Sequence, residues 1–288
     1  MTEVLGYAFM QRALLAGTVI GVVCAVIGVY VVLKGMSFIG AGIAHASFGG
    51  VALGFLLGVN PVLAAVVFCM ATGWGIGLTA RRTRIREDTA VGIFFASTMA
   101  VGILVIGLMQ GYTVDLFGYL FGSILAVGRA DLEITLALGA VVLALVAVFY
   151  KELMFVTFDS EMAAVTGVPA EKIYFLLISL VALTVVISIK VVGTVLVSAL
   201  LVTPAAAAYQ LTEKFGRMMA AAVALGVGST VGGLLLSYKL DTASGATIVL
   251  VSTTMFLAAA ALSPRRRRRK QTGTTTSKLV PGNGAPRH

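Results

Sequence analysis

Residues 11–33 read QRALLAGTVIGVVCAVIGVYVVL, an apolar stretch in which Arg12 is the one charged residue. About 20 apolar residues in a helix are enough to cross the hydrocarbon core of a lipid bilayer. The stretch is continuous and does not alternate polar with apolar positions, as a strand of a membrane barrel would. No basic segment precedes it, and it is too long for a cleaved signal peptide, so we predict that it is the first membrane span.

Similar apolar stretches follow along the chain and are separated by short charged patches. Hydrophobic residues make up 59% of the sequence and charged residues only 11%, whereas soluble domains carry roughly 25% charged residues. Backbone groups in the bilayer core have no water to bind, so each stretch must form a helix. We therefore predict an all-α polytopic membrane protein, a bundle of about eight or nine transmembrane helices, at 11–33, 37–58, 61–80, 89–110, 131–150, 172–189, 191–211, 218–237 and 243–262.

Three segments decide how many spans there are. Asn60 and Pro61 separate the second span from the third, and this pair predicts a tight break. Residues 115–123, DLFGYLFGS, are short and aromatic, so we expect them at the membrane interface and not across the membrane. Lys190 alone divides the sixth span from the seventh, so one of these two is either a full span or a re-entrant half-helix.

Clusters of basic residues predict the orientation. Arginines are concentrated at 81–86, and an unbroken run of cations fills 265–270. Short basic loops stay in the cytoplasm, so we predict a multi-pass plasma-membrane protein with its N-terminus outside and its C-terminus in the cytoplasm. The net charge of +9 reflects this topology and does not indicate a nucleic-acid partner. We divide the chain into a membrane domain at 1–264 and a basic tail at 265–288, which we expect to be disordered.

The second span carries a regular pattern of small residues. Every fourth position is small, at Gly42, Ala46, Gly50, Gly54 and Gly58. Small residues on one helix face let neighbouring backbones approach closely in a membrane. This helix is therefore predicted to lie in the interior of the bundle.

His45 lies in the middle of the same span, and the other histidine is the terminal His288. An ionisable side chain inside a span is costly and by default suggests a function, and neutral imidazole is a common ligand for zinc, manganese or iron. Because Ala41 and Gly49 lie one turn before and after it, we assign His45 and Gly49 to a candidate ion pathway. The alternative is a packing histidine that is hydrogen-bonded to a helix carbonyl. One imidazole is too weak for a storage site, but it suits a conduit that the ion must leave.

The polar loop TFDSEMAAVTGVPAEK, residues 157–172, interrupts two strong spans. Its pattern predicts a short helix that is capped at Asp159 or Ser160 and ended by Gly167. Such a helix in a cytoplasmic loop suits docking onto a soluble partner, and the alternative is an ordinary solvated turn. The residues assigned to this docking surface are Asp159, Glu161, Ala163, Ala164 and Gly167.

Residues 86–95, REDTAVGIFF, are explained by the start of the fourth span. Asp88 or Thr89 is the predicted N-cap of this helix. Glu87 and Asp88 then lie near the positive end of the helix dipole.

Candidate hinge and gate residues lie in the second half of the chain. Lys190, Gly193 and Pro204 share one apolar run, and a proline inside a span bends the helix. Such a bend is either a hinge or an ordinary feature of a packed bundle. Asp241, in the turn before the ninth span, is either the N-cap of that span or part of an outer gate or docking surface.

Several motifs are missing from the sequence. It has no GxxxxGK[ST] and no HExxH, so we predict that the chain is not an enzyme and does not hydrolyse ATP itself. Cys24 and Cys69 lie inside apolar stretches without a CxxC pair and are expected to be small buried hydrophobic residues. No carboxylate lies deep in a span, which disfavours a secondary transporter driven by an ion gradient. A membrane scaffold without transport activity is the other class that we considered.

Seven ordered stretches together resemble the membrane-spanning permeases of the zinc, manganese and iron ABC importers. Examples are GIAHASFGGVALGFLLG at 42–58 and KVVGTVLVSALLVTPAAAA at 190–208. The resemblance covers nearly the whole membrane domain and implies a permease like those of type II ABC importers. The complete set of stretches is 12–40, 42–58, 84–93, 115–127, 149–167, 190–208 and 238–250.

The resemblance implies partners and a cargo. Two permease copies would pair around a central pathway, a separate ATPase would dock at 159–167, and an extracytoplasmic metal-binding protein would deliver the ion. His45 would line the pathway, no cofactor would be permanently bound, and the transported ion would be divalent zinc, manganese or iron. Many members carry an aspartate four residues before this histidine, where this chain has Ala41. Manganese favours carboxylate oxygen, so this substitution favours zinc. A permease for a metal chelate such as a siderophore is the related alternative.

Overall fold

The computed structural model describes residues 7–109 and 127–263, with only the backbone at Lys190. Every regular element in these two ranges is an α-helix. The predicted interfacial segment 115–123, the basic run 265–270 and the rest of the tail lie outside the described residues. The helices are α1 (Ala8–Lys34), α2 (Ile39–Leu56), α3 (Pro61–Thr83), α4 (Glu87–Leu108), α5 (Arg129–Val148), α6 (Tyr150–Phe158), α7 (Ser160–Val165), α8 (Ala170–Leu211), α9 (Phe215–Leu240) and α10 (Ser244–Ala261).

In the described part of the chain, nine helical segments are long and apolar enough to cross a membrane. α8 supplies two of them, Ala170–Ile189 and Val191–Leu211, whereas α6 and α7 are too short. The prediction of an all-α polytopic membrane protein is confirmed, with the larger of the two expected numbers of spans. The predicted span boundaries lie within a few residues of the observed helix ends.

The turn between α2 and α3 has the predicted break. The side chain of Asn60 accepts hydrogen bonds from two backbone N–H groups in the first turn of α3. Pro61 is the first residue of that helix, where its missing N–H costs no hydrogen bond. The local sequence therefore ends one span and starts the next without help from the rest of the bundle.

The predicted N-cap of the fourth span is wrong by two to three residues. α4 begins at Glu87, and the extended residue before it is Arg86, so neither Asp88 nor Thr89 is the cap. Glu87 and Asp88 both lie in the first turn. Their negative charges are stabilised there by the free N–H groups at the helix start, so the helix begins without a side-chain cap.

α2 lies in the interior of the bundle, where it contacts α3, α4 and α8. A Cβ atom on Gly50 would lie 2.7 Å from the Cα of Ala65, and one on Gly54 would lie 2.7 Å from the Cα of Pro61. The predicted role of the small residues within α2 in close packing is therefore confirmed. Gly58 does not belong to this set, because it lies beyond the end of α2 with a φ of +66°.

The core and the outer surface are formed by different helices. In α1 and in the two halves of α8, 67% to 72% of the residues of the spanning segment are buried, against 22% in α4, α5 and α10. Apolar side chains such as Ile103, Leu104 and Leu250 are more than half exposed on those outer helices. Such exposure would be costly in water, and it fits the lipid-facing surface of a membrane protein.

α8 reverses direction at Gly193. A straight helix of its 42 residues would span about 63 Å and could not return to the end of the bundle where it started. Glu171, at its start, pairs with Arg81 at 3.4 Å, and Phe215, just after its end, packs on Phe158 with ring centroids 5.9 Å apart. Arg81 and Ser160, which lies two residues after Phe158, line one groove. The partners of the start and of the end of α8 are therefore close together, so both ends of α8 lie at the same end of the bundle.

The break in α8 lies at one of the three candidate hinge residues of this helix. Of Lys190, Gly193 and Pro204, only Gly193 has non-helical backbone angles, with a φ of 80° and a ψ of 165°. A residue with a Cβ atom is strained in that conformation, so glycine is needed for the reversal. The backbone shows no such break at Pro204, where the sequence predicted a bend. Pro204 lies within the second half of the helix, where neighbouring helices compensate for a lost backbone hydrogen bond.

We expect Gly193→Ala to destabilise the protein by about 1–3 kcal/mol, because alanine is strained at this φ. Gly232→Ala is the matched control, since Gly232 is helical and its Cβ would meet nothing within 4 Å. The measurement is the thermal unfolding of both variants in detergent. Equal melting temperatures for the two variants would contradict the role of Gly193.

Candidate functional site

His45 lies on α2, and its ring is held by two contacts. Its Nδ1 is 2.9 Å from the carbonyl oxygen of Ala41, and its ring lies 4.7 Å from the ring of Phe95 on α4. With Nδ1–H donating to that carbonyl, the lone pair of a neutral imidazole is on Nε2. Metal-binding histidines are commonly fixed in this way by a backbone carbonyl. The contact is also the one expected of a packing histidine, so both alternatives from the sequence agree with it.

The surroundings of His45 differ on its two sides. Gly49 is buried against α4, where an added Cβ atom would lie 2.9 Å from the carbonyl oxygen of Thr98. The main role of Gly49 is therefore close packing of α2 on α4. Ala41 and His45 are only partly buried, and Phe95 is 37% exposed. The histidine thus lies on an accessible edge of the α2–α4 pair.

His45 has no cluster of further ligands in the described residues. Among residues 7–109 and 127–263, no three His, Cys, Asp or Glu side chains lie close enough to hold a metal ion together. Cys24 and Cys69 are buried, as predicted, and the Cys69 thiol donates to the carbonyl oxygen of Ile43 at 3.4 Å. The part of one chain that is described therefore offers a single imidazole, which suits transient contact with an ion better than storage.

The predicted short helix in the 157–172 loop is confirmed as α7. Asp159 caps it by accepting hydrogen bonds from the N–H groups of Glu161 at 3.1 Å and Met162 at 2.9 Å. Gly167 follows the end of the helix with a φ of +90°, where residues other than glycine are disfavoured. The local sequence alone is sufficient to begin and end this helix.

α7 presents one face to solvent and one to the bundle. Met162 is 53% exposed and Val165 is 83% exposed, and Glu161 and Ala164 are exposed as well. Ala163 is fully buried, so it anchors the helix and does not form part of its outer face. An exposed apolar patch at the end of a membrane bundle is typical of a protein-protein contact.

A groove lies between α7, the start of α8 and the end of α3. It has a volume of about 580 Å³ and is lined by Arg81 and Lys172 as well as Glu161 and Glu171. Both signs of charge thus lie next to the exposed face of α7. Charged groups of this kind fix the register of a docked partner more than they add affinity.

The other candidate residues do not join a common site. Gly193 is the reversal point of α8, and Pro204 lies buried within the second half of that helix. Asp241 is the C-cap of α9, with a φ of 51° and a ψ of 47°. The alternative that it is the N-cap of the last span is therefore wrong, and its part in an outer gate or docking surface stays a prediction. Aspartate tolerates the left-handed conformation that ends a helix, which explains why Asp241 terminates α9. α10 begins after Ala243, which lies two residues beyond Asp241.

One polar cluster was not found from the sequence. Tyr174 of α8 is 3% exposed and donates a hydrogen bond to Oε1 of Glu87 at 2.8 Å. The guanidinium carbon of Arg81 lies 4.7 Å from the centre of the Tyr174 ring, and Nζ of Lys34 lies 6.0 Å from it. The sequence signal is weak, since each residue is a polar group near the end of a different span.

Comparisons with known proteins show what the chain is similar to. Residues 6–263 match the ABC 3 transport family. The manganese transport system membrane protein MntC of Halalkalibacterium halodurans is 41% identical over 251 residues, which cover 87% of this chain and 86% of that protein. The "Probable iron transport system membrane protein" of Haemophilus influenzae is 34% identical, with 88% and 92% covered. The solved structure of PsaBC from Streptococcus pneumoniae in complex with Fab has a TM-score of 0.83 and 36% identity, covering 94% of this chain and 98% of that chain.

Proposed function

Because the chain belongs to the ABC 3 transport family, as the permease of a metal-ion ABC importer, we propose that it moves a divalent transition-metal ion into the cytoplasm. The permease is a transport subunit and not an enzyme. In this proposal the ATP is hydrolysed by a separate ATPase subunit. The geometric observation that carries the proposal is His45, whose Nδ1 is engaged by Ala41 while its ring lies on an accessible edge.

Manganese is the first proposed cargo and iron the second. Imidazole binds manganese, iron and zinc, so His45 does not discriminate among them by itself. The substitution of Ala41 for the aspartate of many family members favours zinc, because a carboxylate that suits manganese is missing. The relatives reported above are named for manganese and iron, and their names do not mention zinc. We therefore rank zinc third.

A second copy of the permease is the proposed partner at the pathway. The described part of one chain supplies only His45 and no group of three ligands. The partly exposed edge at Ala41 and His45 would be covered by the second copy, which would bring its own His45. Two weak imidazole ligands from two chains would hold an ion long enough to pass and not long enough to trap it.

The proposed mechanism is alternating access. An extracytoplasmic metal-binding protein delivers the ion to the outer face, and the ATPase docks on the exposed face of α7 around Glu161, Ala164 and Val165. ATP binding and hydrolysis change how the ATPase holds α7, and this difference shifts the bundle between outward-open and inward-open states. An ATPase that held α7 equally in both states would transmit no work. In the proposed orientation, α7 and the C-terminus of the chain are cytoplasmic.

Two alternatives fit the molecule less well. A gradient-driven transporter would need coupling-ion sites, usually carboxylates inside spans, and the described acidic residues lie at or near helix ends or in loops. A permease for a metal chelate such as a siderophore would carry a much larger cargo. The close packing of Gly49 and Gly42 on α4 leaves less room beside His45 for such a ligand than for a bare ion.

Metal uptake tests the proposed function directly. Cells that express the permease with its ATPase and binding protein should accumulate radiolabelled manganese, and iron to a smaller extent, because family relatives carry these names. An ATPase-inactive variant of the partner is the control and should reduce uptake to background. Uptake of zinc in preference to both metals would reverse the proposed order, and absence of ATPase-dependent uptake of all three would refute the proposal.

A further inference from the structure

A partly buried hydrogen bond ties the end of α1 to the segment that precedes α7. Lys34, the last residue of α1, donates from Nζ to the carbonyl oxygen of Val156 at 3.0 Å. Val156 is 4% exposed and lies in α6, one turn before α7 begins at Ser160. The chain leaves Lys34 through a short turn and enters α2 at Ile39, which leads to His45. The α6–α7 segment is thus attached to the end of α1, five residues before the start of α2, the helix that carries His45.

A second hydrogen bond ties the start of α4 to α8. The hydroxyl of Tyr174 donates to Oε1 of Glu87 at 2.8 Å, and Tyr174 is buried. Glu87 is the first residue of α4, and Phe95 of the same helix packs on His45. The bond is partly buried, and a hydrogen bond to a charged acceptor is stronger than one between neutral groups. The start of α4, the helix that carries Phe95, is therefore linked to α8, the helix that follows α7.

Charges around the Tyr174 ring complete the cluster. The guanidinium of Arg81 lies over the ring at 4.7 Å and pairs with Glu171 at 3.4 Å. Both partners of that ion pair are well exposed, with side chains 38% and 70% accessible, so the pair itself adds little. The hydrogen bonds of Lys34 and Tyr174 are the better-shielded links of the cluster.

We propose that Lys34, Glu87 and Tyr174 are positioning residues that transmit movement of α7 to the ion pathway. The proposal rests on the proposed function. His45 lies about 9 Å beyond the start of α2, and Phe95 lies about 12 Å beyond the start of α4. Both distances lie within a rigid helical segment, so a shift of the two helix starts reaches the histidine and the ring that packs on it. The two hydrogen bonds of the cluster link the segment before α7 to the end of α1, and the helix after α7 to the start of α4.

The test is the number of manganese ions imported per ATP hydrolysed, measured in proteoliposomes that contain the complete importer and its binding protein. Tyr174→Phe removes only the hydroxyl that donates to Glu87 and keeps the ring. We expect this ratio to fall about fivefold while ATP hydrolysis continues, since coupling between distant sites is typically lost on this scale. Lys34→Met should lower the ratio as well, whereas Lys34→Arg keeps a donor for Val156 and should restore it. Tyr238→Phe, at an exposed tyrosine of α9, is the matched control and should leave the ratio unchanged.

The outcomes separate this proposal from the proposed function. Normal import by the wild type with an unchanged ratio in Tyr174→Phe and Lys34→Met would refute the transmission role alone. A parallel fall of import and ATP hydrolysis, with a lower melting temperature and no rescue by Lys34→Arg, would mean that the cluster only stabilises the bundle and would also refute it. A wild type that hydrolyses ATP without importing manganese, iron or zinc would refute the proposed function and this proposal with it.

Discussion

ATP-dependent metal uptake should fall by more than about a hundredfold when Ala164 and Val165 are both replaced by glutamate. Both residues are exposed on the outer face of α7, and Val165 is 83% exposed. If this face docks on the ATPase, the variant places two unpaired charges in the interface, at a cost of several kcal/mol. The fold should remain intact, because glutamate is a good helix former and both side chains point away from the bundle. The measurement is uptake of radiolabelled manganese together with co-purification of the ATPase.

The choice of positions matters for this experiment. Ala163 belongs to the same candidate surface in sequence but is fully buried, so a charge there would disturb packing and would not report on docking. Gly216→Glu is the control, since Gly216 is exposed and its Cβ would meet nothing within 4 Å. This variant should keep normal uptake and ATPase binding. Normal uptake by the α7 double variant, at wild-type membrane levels, would remove the coupling role from α7.

Replacing His45 by phenylalanine should reduce manganese uptake by about a hundredfold. Changes to residues that merely support a metal ligand commonly cost 10- to 100-fold, so loss of the ligand itself should reach the upper end of that range. Phenylalanine keeps an aromatic ring against Phe95, whose ring lies 4.7 Å from the imidazole. The variant therefore removes the ring nitrogens and retains most of the packing. The measurement is initial uptake rate at several manganese concentrations.

Thermal unfolding distinguishes the two roles of this histidine. His45 accounts for one hydrogen bond, from Nδ1 to the carbonyl of its own helix at Ala41, and that carbonyl still has its backbone partner in the helix. We therefore expect His45→Phe to change the melting temperature little while uptake is lost. Retained uptake in this variant would assign His45 to packing, although the importer itself would stand.

Parts of the candidate site were predictable because they depend on neighbouring residues in the chain. Asp159 and Gly167 define α7 through a cap and a left-handed turn, and the pattern of small residues from Gly42 to Gly54 places α2 in the interior. In each case the sequence contains the whole cause of the structure. The same holds for the turn at Asn60, whose side chain caps the next helix.

The errors share a different cause. The sequence predicted a bend at Pro204, but of the three candidate hinge residues only Gly193 breaks the helix, because a bundle can compensate a proline and only glycine adopts that φ and ψ without strain. Asp241 ends α9 with a φ of 51°, although it has the side chain of a typical N-cap. In both cases a local preference allowed two structures, and packing selected one.

The sequence by itself determined the class of the protein, because apolar stretches of this length can only be satisfied as membrane-spanning helices. It also placed the ends of these helices to within a few residues, since each apolar stretch ends at a polar or charged patch. Only the tertiary structure decided which side of α7 is free, how α8 returns to its starting end, and that Lys34, Glu87 and Tyr174 meet. Those contacts join residues far apart in the chain, and their geometry depends on how the helices pack, which no local pattern encodes.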